Sequence, residues 1–571
     1  MTSAGISDEQ KTDIDFQWGV KIPMRDGVHL NATLYRPKGL QPVPVIITIT
    51  PYTADTYHSR GMYFAQSGYA FALIDCRGRG NSEGEWLAAG KHDALDAYDA
   101  IEWLAAQVWC DGQVAMWGGS YAGWNQWAAA RTGAPQLRTI VPAAAAYEGI
   151  DVPCFNGIFL AYWIQWATLT SGVTANANLF GEAQFWIDKF RELYLNHRPF
   201  AELAQIVGND SRYFKDVIDH PHRSLFYDEA NPSPAELASM ELPVLTITGH
   251  YDGDQLGALE HYRQHMRHAS ATAREKHYLI MGPWDHAGTR TPQKEVGGLT
   301  FGDASMLDLN KLHKEWYDWI MRDRPRPEFL KKRVAYYVTG LEEWKYADEL
   351  ESIAQYQPLY LTSTNGCAND VFASGMLLTA PVDTEADSYI YNPLDTRPEL
   401  LDRNEVKQQL TDQRYAINLF GSGLVYHSEL FDSPIEITGQ PRVTAWIEID
   451  VPDTDFICDL YEIKLDGSSV LLSGTWLRAR YRESLYEERL VTPGEINCYV
   501  LQPFSYISRR IAQGSRLRLV IKANNSIYLQ KNYNSGGIVA EETAAEAQIA
   551  HVKLYHDTEH PSMLEIPVAV I

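Results

Sequence analysis

Residues 114–124 read VAMWGGSYAGW, and no other stretch narrows the fold as far. An apolar, strand-like run enters Gly118-Gly119-Ser120-Tyr121-Ala122-Gly123, and a helix-like run, NQWAAARTG, leaves it. A serine on a tight, strained turn between strand and helix needs small neighbours, which let the two elements crowd together. The turn places the hydroxyl at a helix N-terminus, where the backbone N–H of Tyr121 can face a developing oxyanion. The common pattern for such a nucleophile elbow is G-x-S-x-G. Here the last position is Ala122, and Gly123 follows one residue later. The competing reading is a glycine-rich strand–helix turn with a capping serine.

The surrounding pattern supplies the context this turn requires. Residues 43–50 (VPVIITIT) are β-branched and nearly all apolar, as a strand buried on both faces should be. Residues 69–75 read as another strand, 92–107 as an amphipathic helix and 113–118 as a third strand. Strand, helix, strand with short connections predicts a parallel, helix-covered sheet, here an α/β-hydrolase core spanning 1–150 and resuming over 241–330. Residues 151–240 have few strand signals and read as a helical insertion, with aromatics clustered in FNGIFLAYWIQW. The stretch RDRPRPEF is a linker candidate. Residues 331–571 alternate apolar and polar with frequent turn residues, the pattern of an antiparallel sandwich or jelly roll.

In such a core the nucleophile is followed along the chain by an acid and then a histidine, each at a strand end. The strand LPVLTITG ends in HYDGD, which makes Asp252 the acid. Asp254 competes as substrate ligand or helix N-cap. The strand HYLIMG ends in GPWDHAG, which makes His286 the base. His277 begins that strand at the wrong end, and His250 precedes the acid. The first buried strand leads into Pro51-Tyr52-Thr53, where a second oxyanion donor usually sits. No HGGG-type run is present, so the Tyr52 hydroxyl is a side-chain candidate; the residues alone favour a tyrosine packed over the sheet edge.

The segments MRDGVHLNATLYRP, PYT, DCRGRGNSEG, WCDGQVAMWGGSYAG, HYDG, GPWDH and LRARYR follow one another along nearly the whole chain. With them the chain resembles the cocaine-esterase-like hydrolases. That group includes α-amino-acid ester hydrolases and glutaryl-cephalosporin acylases and is related to X-Pro dipeptidyl peptidases. The resemblance implies a hydrolase core, a helical cap inserted in it and a C-terminal jelly roll. It places Ser120, Asp252 and His286 on the catalytic triad and Tyr52 on the oxyanion tyrosine. It implies a structural role, with Arg and Asp pairing, for DCRGRGNSEG. The group's α-amino-acid ester hydrolases grip a substrate ammonium with a carboxylate cluster, two members of which follow the triad Asp closely. Here that stretch is Asp252-Gly253-Asp254-Gln255, so one carboxylate remains beside an amide. Asp151 is a further candidate member, which leaves the cluster partial.

Composition removes other classes. The chain of 571 residues carries a formal net charge of −24, which disfavours nucleic acid and anionic membrane surfaces as partners. Six scattered cysteines form no CxxC pair and suggest buried thiols. No HExxH-type motif appears, so neither a metal nor an organic cofactor is implied. With no apolar run of membrane-spanning length and no secretion signal, the expected location is cytoplasmic. Homo-oligomerisation through the β domain is an expectation by analogy. The expected function is hydrolysis of a small-molecule ester or amide with a hydrophobic or aromatic acyl group. The alternatives are an α-amino-acid ester hydrolase or X-Pro-type peptidase recognising a free ammonium, an acyltransferase using the same triad, or a binding module on a degenerate core.

Overall fold

The computed structural model describes residues 13–39, 41–53, 57–88, 90, 92–364, 366–403 and 409–570. The first sheet contains β1 (Ile14–Pro23), β2 (His29–Pro37), β3 (Val43–Thr50), β4 (Ala70–Asp75), β5 (Cys110–Gly119), β6 (Leu137–Ala143), β7 (Val244–Tyr251), β8 (His277–Asp285), β9 (Val334–Val338) and β10 (Glu343–Ala347). Their spatial order is β1-β2-β4-β3-β5-β6-β7-β8-β9-β10. Pairing is parallel from β4 to β9 and antiparallel at both edges.

The strand period sorts the apolar residues into two cores. On β3, Val45, Ile47 and Ile49 pack with α2 (Asp93–Ala105) and α3 (Tyr121–Ala130). Ile46 turns to the opposite face, where Phe71 and Leu73 of β4 meet α1 (His58–Gln66) and α5 (Leu309–Arg322). A sheet covered on both sides leaves its strand ends as the places where polar side chains can gather.

Between β6 and β7 the chain builds the expected helical insertion, including the helices Tyr162–Leu169 and Ala183–Leu195. The aromatic run there divides. Phe159 joins Trp186, Phe190, Phe200 and Phe214 in a core of the insertion itself. Trp163 and Trp166 pack instead with Tyr121 and Trp124 of the sheet domain, and Tyr52 packs against that cluster.

The Pro-rich linker does not end the first sheet. β9 and β10 follow it and pair onto β8, so this sheet runs past the boundary expected at 331, to Ala347. The strands before the linker leave an open parallel edge, and β9 continues it. Beyond Ala347 a mostly antiparallel sheet of 13 strands packs around a large apolar cluster, with a smaller one of Ala416, Val425, Tyr461, Ile463 and Val520 beside it. The LRARYR arginines lie inside this domain: Arg478 meets Asp455 at 2.9 Å and Arg480 meets Asp453 at 2.8 Å. Asn532 donates to both carboxylates, so these buried charges are paired and hydrogen-bonded. Asn156 ties the insertion to this domain by donating to the carbonyls of Trp476 and Gln502. Of the cysteines, Cys76, Cys110, Cys154 and Cys458 are buried, but Cys367 and Cys498 are exposed, against the expectation of burial for all six. Among the described residues, no helix is long and apolar enough to cross a membrane.

Candidate active site

Ser120 stands between the last residue of β5 and the first of α3, at φ 61° and ψ −128°. That left-handed φ is strained for a residue with a side chain, and it turns the hydroxyl out of the strand. The turn is clamped from below: Ser120 N–H donates to the Ala143 carbonyl at 2.9 Å, and its own carbonyl accepts from Gly123 and Trp124. The glycines are steric requirements. A Cβ on Gly118 would lie 2.7 Å from the Ala122 Cβ, so Ala122 fits because Gly118 faces it. A Cβ on Gly123 would lie 2.7 Å from the Ala143 oxygen of β6. The second glycine therefore belongs one residue later than in the common pattern, where the helix touches β6. Tyr121 N–H opens the helix and has no acceptor among the described residues, as a helix N-terminal amide should.

Asp252 follows β7 and His286 follows β8, two adjacent parallel strands. His286 Nδ1 lies 2.8 Å from Asp252 Oδ1, which also accepts from the Asp254 N–H, while Asp252 Oδ2 accepts from the Thr248 hydroxyl. Burial favours the protonated Asp252, but the His286 charge and these hydrogen bonds outweigh it and hold the carboxyl below its usual range. Burial works against the imidazolium, yet the Asp254 charge and the bond and charge of Asp252 prevail and raise the His286 pKa. Nδ1–H pointing at a buried carboxylate leaves Nε2 as the basic nitrogen. No hydrogen bond joins His286 to Ser120 among the described residues. Such contacts tighten when substrate arrives.

Asp254 occupies the N-cap position of α4 (Gln255–His268), but its side chain makes no capping bond. Its Oδ2 lies 3.8 Å from His286 Nδ1 instead. Burial first, with help from the Asp252 charge, pushes its pKa up to about 6. Asp151 is buried close by, and both its oxygens are occupied: Oδ1 accepts from Tyr147 N–H at 2.9 Å and Oδ2 from Gly257 N–H at 2.6 Å. The amide at Gln255 has a structural reason. It donates to the carbonyls of Gly249 and Tyr506 and accepts from Tyr506 N–H, a job no carboxylate can do.

Tyr52 reaches Ser120 from the end of β3. Its hydroxyl lies 3.4 Å from Ser120 Oγ and accepts from Trp166 Nε1 at 3.1 Å. An indole N–H only donates, so the phenol keeps its own proton for the Ser120 side. Burial pushes the Tyr52 pKa up to about 12, and the phenol remains a donor at neutral pH.

Two contributors carry no motif, and a third lies within DCRGRGNSEG. Trp166 orients Tyr52, and Thr248 fixes Asp252. Arg79, fully buried, donates to the Pro51 carbonyl and to the Gly172 carbonyl of the insertion, so it braces the Tyr52 loop. In the DCRGRGNSEG loop Arg77 does pair with Asp96 and Asp26, but Arg79 holds carbonyls rather than an acid. The rejected histidines lie elsewhere. His250 meets the Tyr337 carbonyl, and His277 meets Thr246 and His265 in a buried cluster. Among the described residues no group of His, Cys, Asp and Glu is placed to hold a metal ion.

Comparison with known proteins agrees with this architecture. Residues 26–288 match the family described as X-Pro dipeptidyl-peptidase (S15 family). Residues 329–565 match the X-Pro dipeptidyl-peptidase C-terminal non-catalytic domain. Cocaine esterase of Rhodococcus sp. (strain MB1 Bresler) is 29% identical, over 96% of this chain and 98% of its own. An aminopeptidase from the marine sediment archaeon Thaumarchaeota archaeon superposes with a TM-score of 0.84 at 22% identity, covering 100% of this chain and 99% of its own. An α-amino acid ester hydrolase does so with 0.84 at 22%, covering 99% and 98%. These two likenesses establish the fold.

Proposed function

This chain belongs to the cocaine-esterase-like serine hydrolases, and from that premise we propose that it cleaves small carboxylic esters or amides through an acyl-enzyme on Ser120. The observation that carries this is convergence. Ser120 on its strained turn with the Tyr52 hydroxyl 3.4 Å away, and the His286–Asp252 pair, stand at the ends of four parallel strands of one sheet.

His286 Nε2 takes the Ser120 proton as Oγ attacks the carbonyl carbon. The oxyanion receives hydrogen bonds from the Tyr52 O–H and the Tyr121 N–H. The imidazolium, stabilised by Asp252, then protonates the leaving alcohol or amine. Water attacks the acyl-enzyme with His286 again as base, and Ser120 is regenerated. A hydrophobic or aromatic acyl group suits the apolar wall, because Trp163 and Trp166 pack in the cluster that contains Tyr121. The direct test is turnover of aryl ester and anilide series with a stoichiometric burst of the first product. Absence of both burst and turnover across the series removes the acyl-enzyme reading.

Tyr52→Phe should lower kcat by about 10²–10³-fold, the usual cost of one oxyanion donor. KM should change little, since the bond strengthens only as charge develops. A KM rise with unchanged kcat would instead make Tyr52 a ground-state contact.

A second reading, recognition of a free ammonium on the acyl group, rests on Asp254, whose carboxylate lies beside His286 and makes no cap. Asp151 serves it as an anchor of the Tyr147 and Gly257 backbone rather than as a free ligand. Asp254 also makes a pH prediction. His286 must be neutral to accept the Ser120 proton, so activity rises with pH through its raised pKa. Asp254→Asn removes the charge that most raises it, and the acidic limb of kcat/KM for an uncharged ester should move to lower pH. An unmoved limb rejects the coupling. The same variant, assayed with an α-amino ester and its des-amino analogue, tests the ammonium contact: the preference for the amino ester should collapse.

A further inference from the structure

A cavity of about 930 Å³ lies where the helical insertion meets α2 and α3, and neither Ser120 nor His286 lines it. Its wall includes the rings of Trp86, Trp124, Tyr213, Phe226 and Tyr227, and the side chain of Glu148. Glu148 is 9% exposed. Its carboxylate has no hydrogen bond and no ion pair among the described residues. Burial and the Asp254 charge push it up to about 8, the mark of an acid without a cation. A mostly buried acid with no protein partner that opens on a cavity is where a cationic guest can supply one. Of the wall's other ionisable side chains, His220 stacks on Phe226 at 4.0 Å and the two arginines already have acid partners. Arg212 is shared by Glu85 and Asp216, and Arg131 is taken by Glu236, while Asp210 and Glu229 add further acid.

We infer that this cavity is a binding site for a small organic cation, held by the Glu148 carboxylate and the surrounding aromatic faces. Aromatic rings attract a cation through their negative faces, and they suit one too bulky and apolar-skinned for open water. The site is distinct from the acyl site, yet its wall backs the reacting centre. Trp86 and Trp124 pack on Tyr121 at 5.2 and 5.1 Å, and Tyr213 meets the edge of Trp166, the ring that donates to Tyr52. A cation lodged there is therefore one layer of side chains from the groups that would hold the oxyanion, none of which lines the cavity. It is either the alcohol half of a substrate or a separate small molecule; the chemistry recognised is the same.

The test uses the full chain, with choline as probe and 3,3-dimethylbutan-1-ol as its uncharged isostere, in titration calorimetry. Choline should bind saturably and at least tenfold tighter than the isostere. Glu148→Gln should weaken choline at least tenfold and leave the isostere unchanged. Ala230→Trp, which fills the cavity from its half-buried rim and keeps Glu148, should weaken both, and it covers the case in which Glu148→Gln misfolds. Choline binding should survive phosphonylation of Ser120, so the outcome does not depend on the proposed hydrolysis. Equal affinity for the two probes, indifference to both variants, or loss of binding on phosphonylation overturns the site. The source of the cation is read from a choline ester and its 3,3-dimethylbutyl counterpart. A lower KM for the choline ester that vanishes in Glu148→Gln makes the cation part of the substrate. Equal KM values with binding retained make it a separate ligand, and both results keep the site.

Discussion

Ser120→Ala should lose about 10⁶-fold in kcat for ester hydrolysis and should no longer be labelled by a fluorophosphonate. The magnitude follows from the role: with the Oγ gone there is no covalent path, and only oxyanion and binding groups remain to help water. The fold should be spared. Ser120 is only partly buried, its N–H still reaches the Ala143 carbonyl, and alanine keeps the Cβ that the strained φ already tolerates. An unchanged melting temperature with lost turnover is therefore the signature of a chemical role. Residual labelling at wild-type rate would assign the nucleophile to another residue.

The elbow was legible because sterics write it into sequence. Gly118 and Gly123 are forced by neighbours a Cβ would strike, and those neighbours are backbone or near-backbone atoms. Asp252 and His286 were legible for a related reason: parallel strands align their ends, so residues just past two apolar runs are brought together. From residues alone Tyr52 reads rather as a tyrosine packed over the sheet edge, because nothing local separates packing from donating. What decides its orientation is Trp166, 114 positions away in the insertion, and no local pattern carries that contact. Arg79 was hidden in the same way, since its acceptors are carbonyls of distant loops. The sheet's reach to Ala347 escaped because a strand continuing a parallel edge looks no different, in sequence, from one that starts a new domain.

Asp252→Ala should cost about 10⁴-fold in kcat, through loss of both the imidazole's orientation and the charge that stabilises the imidazolium. Asp252→Asn should be milder here than the alanine. The Asp254 N–H donates to the Oδ1 position, which repels an amide N–H there, while the Thr248 hydroxyl can rotate to accept at the Oδ2 position. The asparagine therefore presents its carbonyl to His286, and the Nδ1–H tautomer survives although the charge is gone. Asp254 adds a second carboxylate 3.8 Å from the same nitrogen, which remains to oppose loss of the imidazolium. Combining Asp252→Ala with Asp254→Asn should then lose more than the product of the single effects on a des-amino ester. Simple multiplication would show that the two carboxylates act independently and that Asp254 serves substrate binding alone.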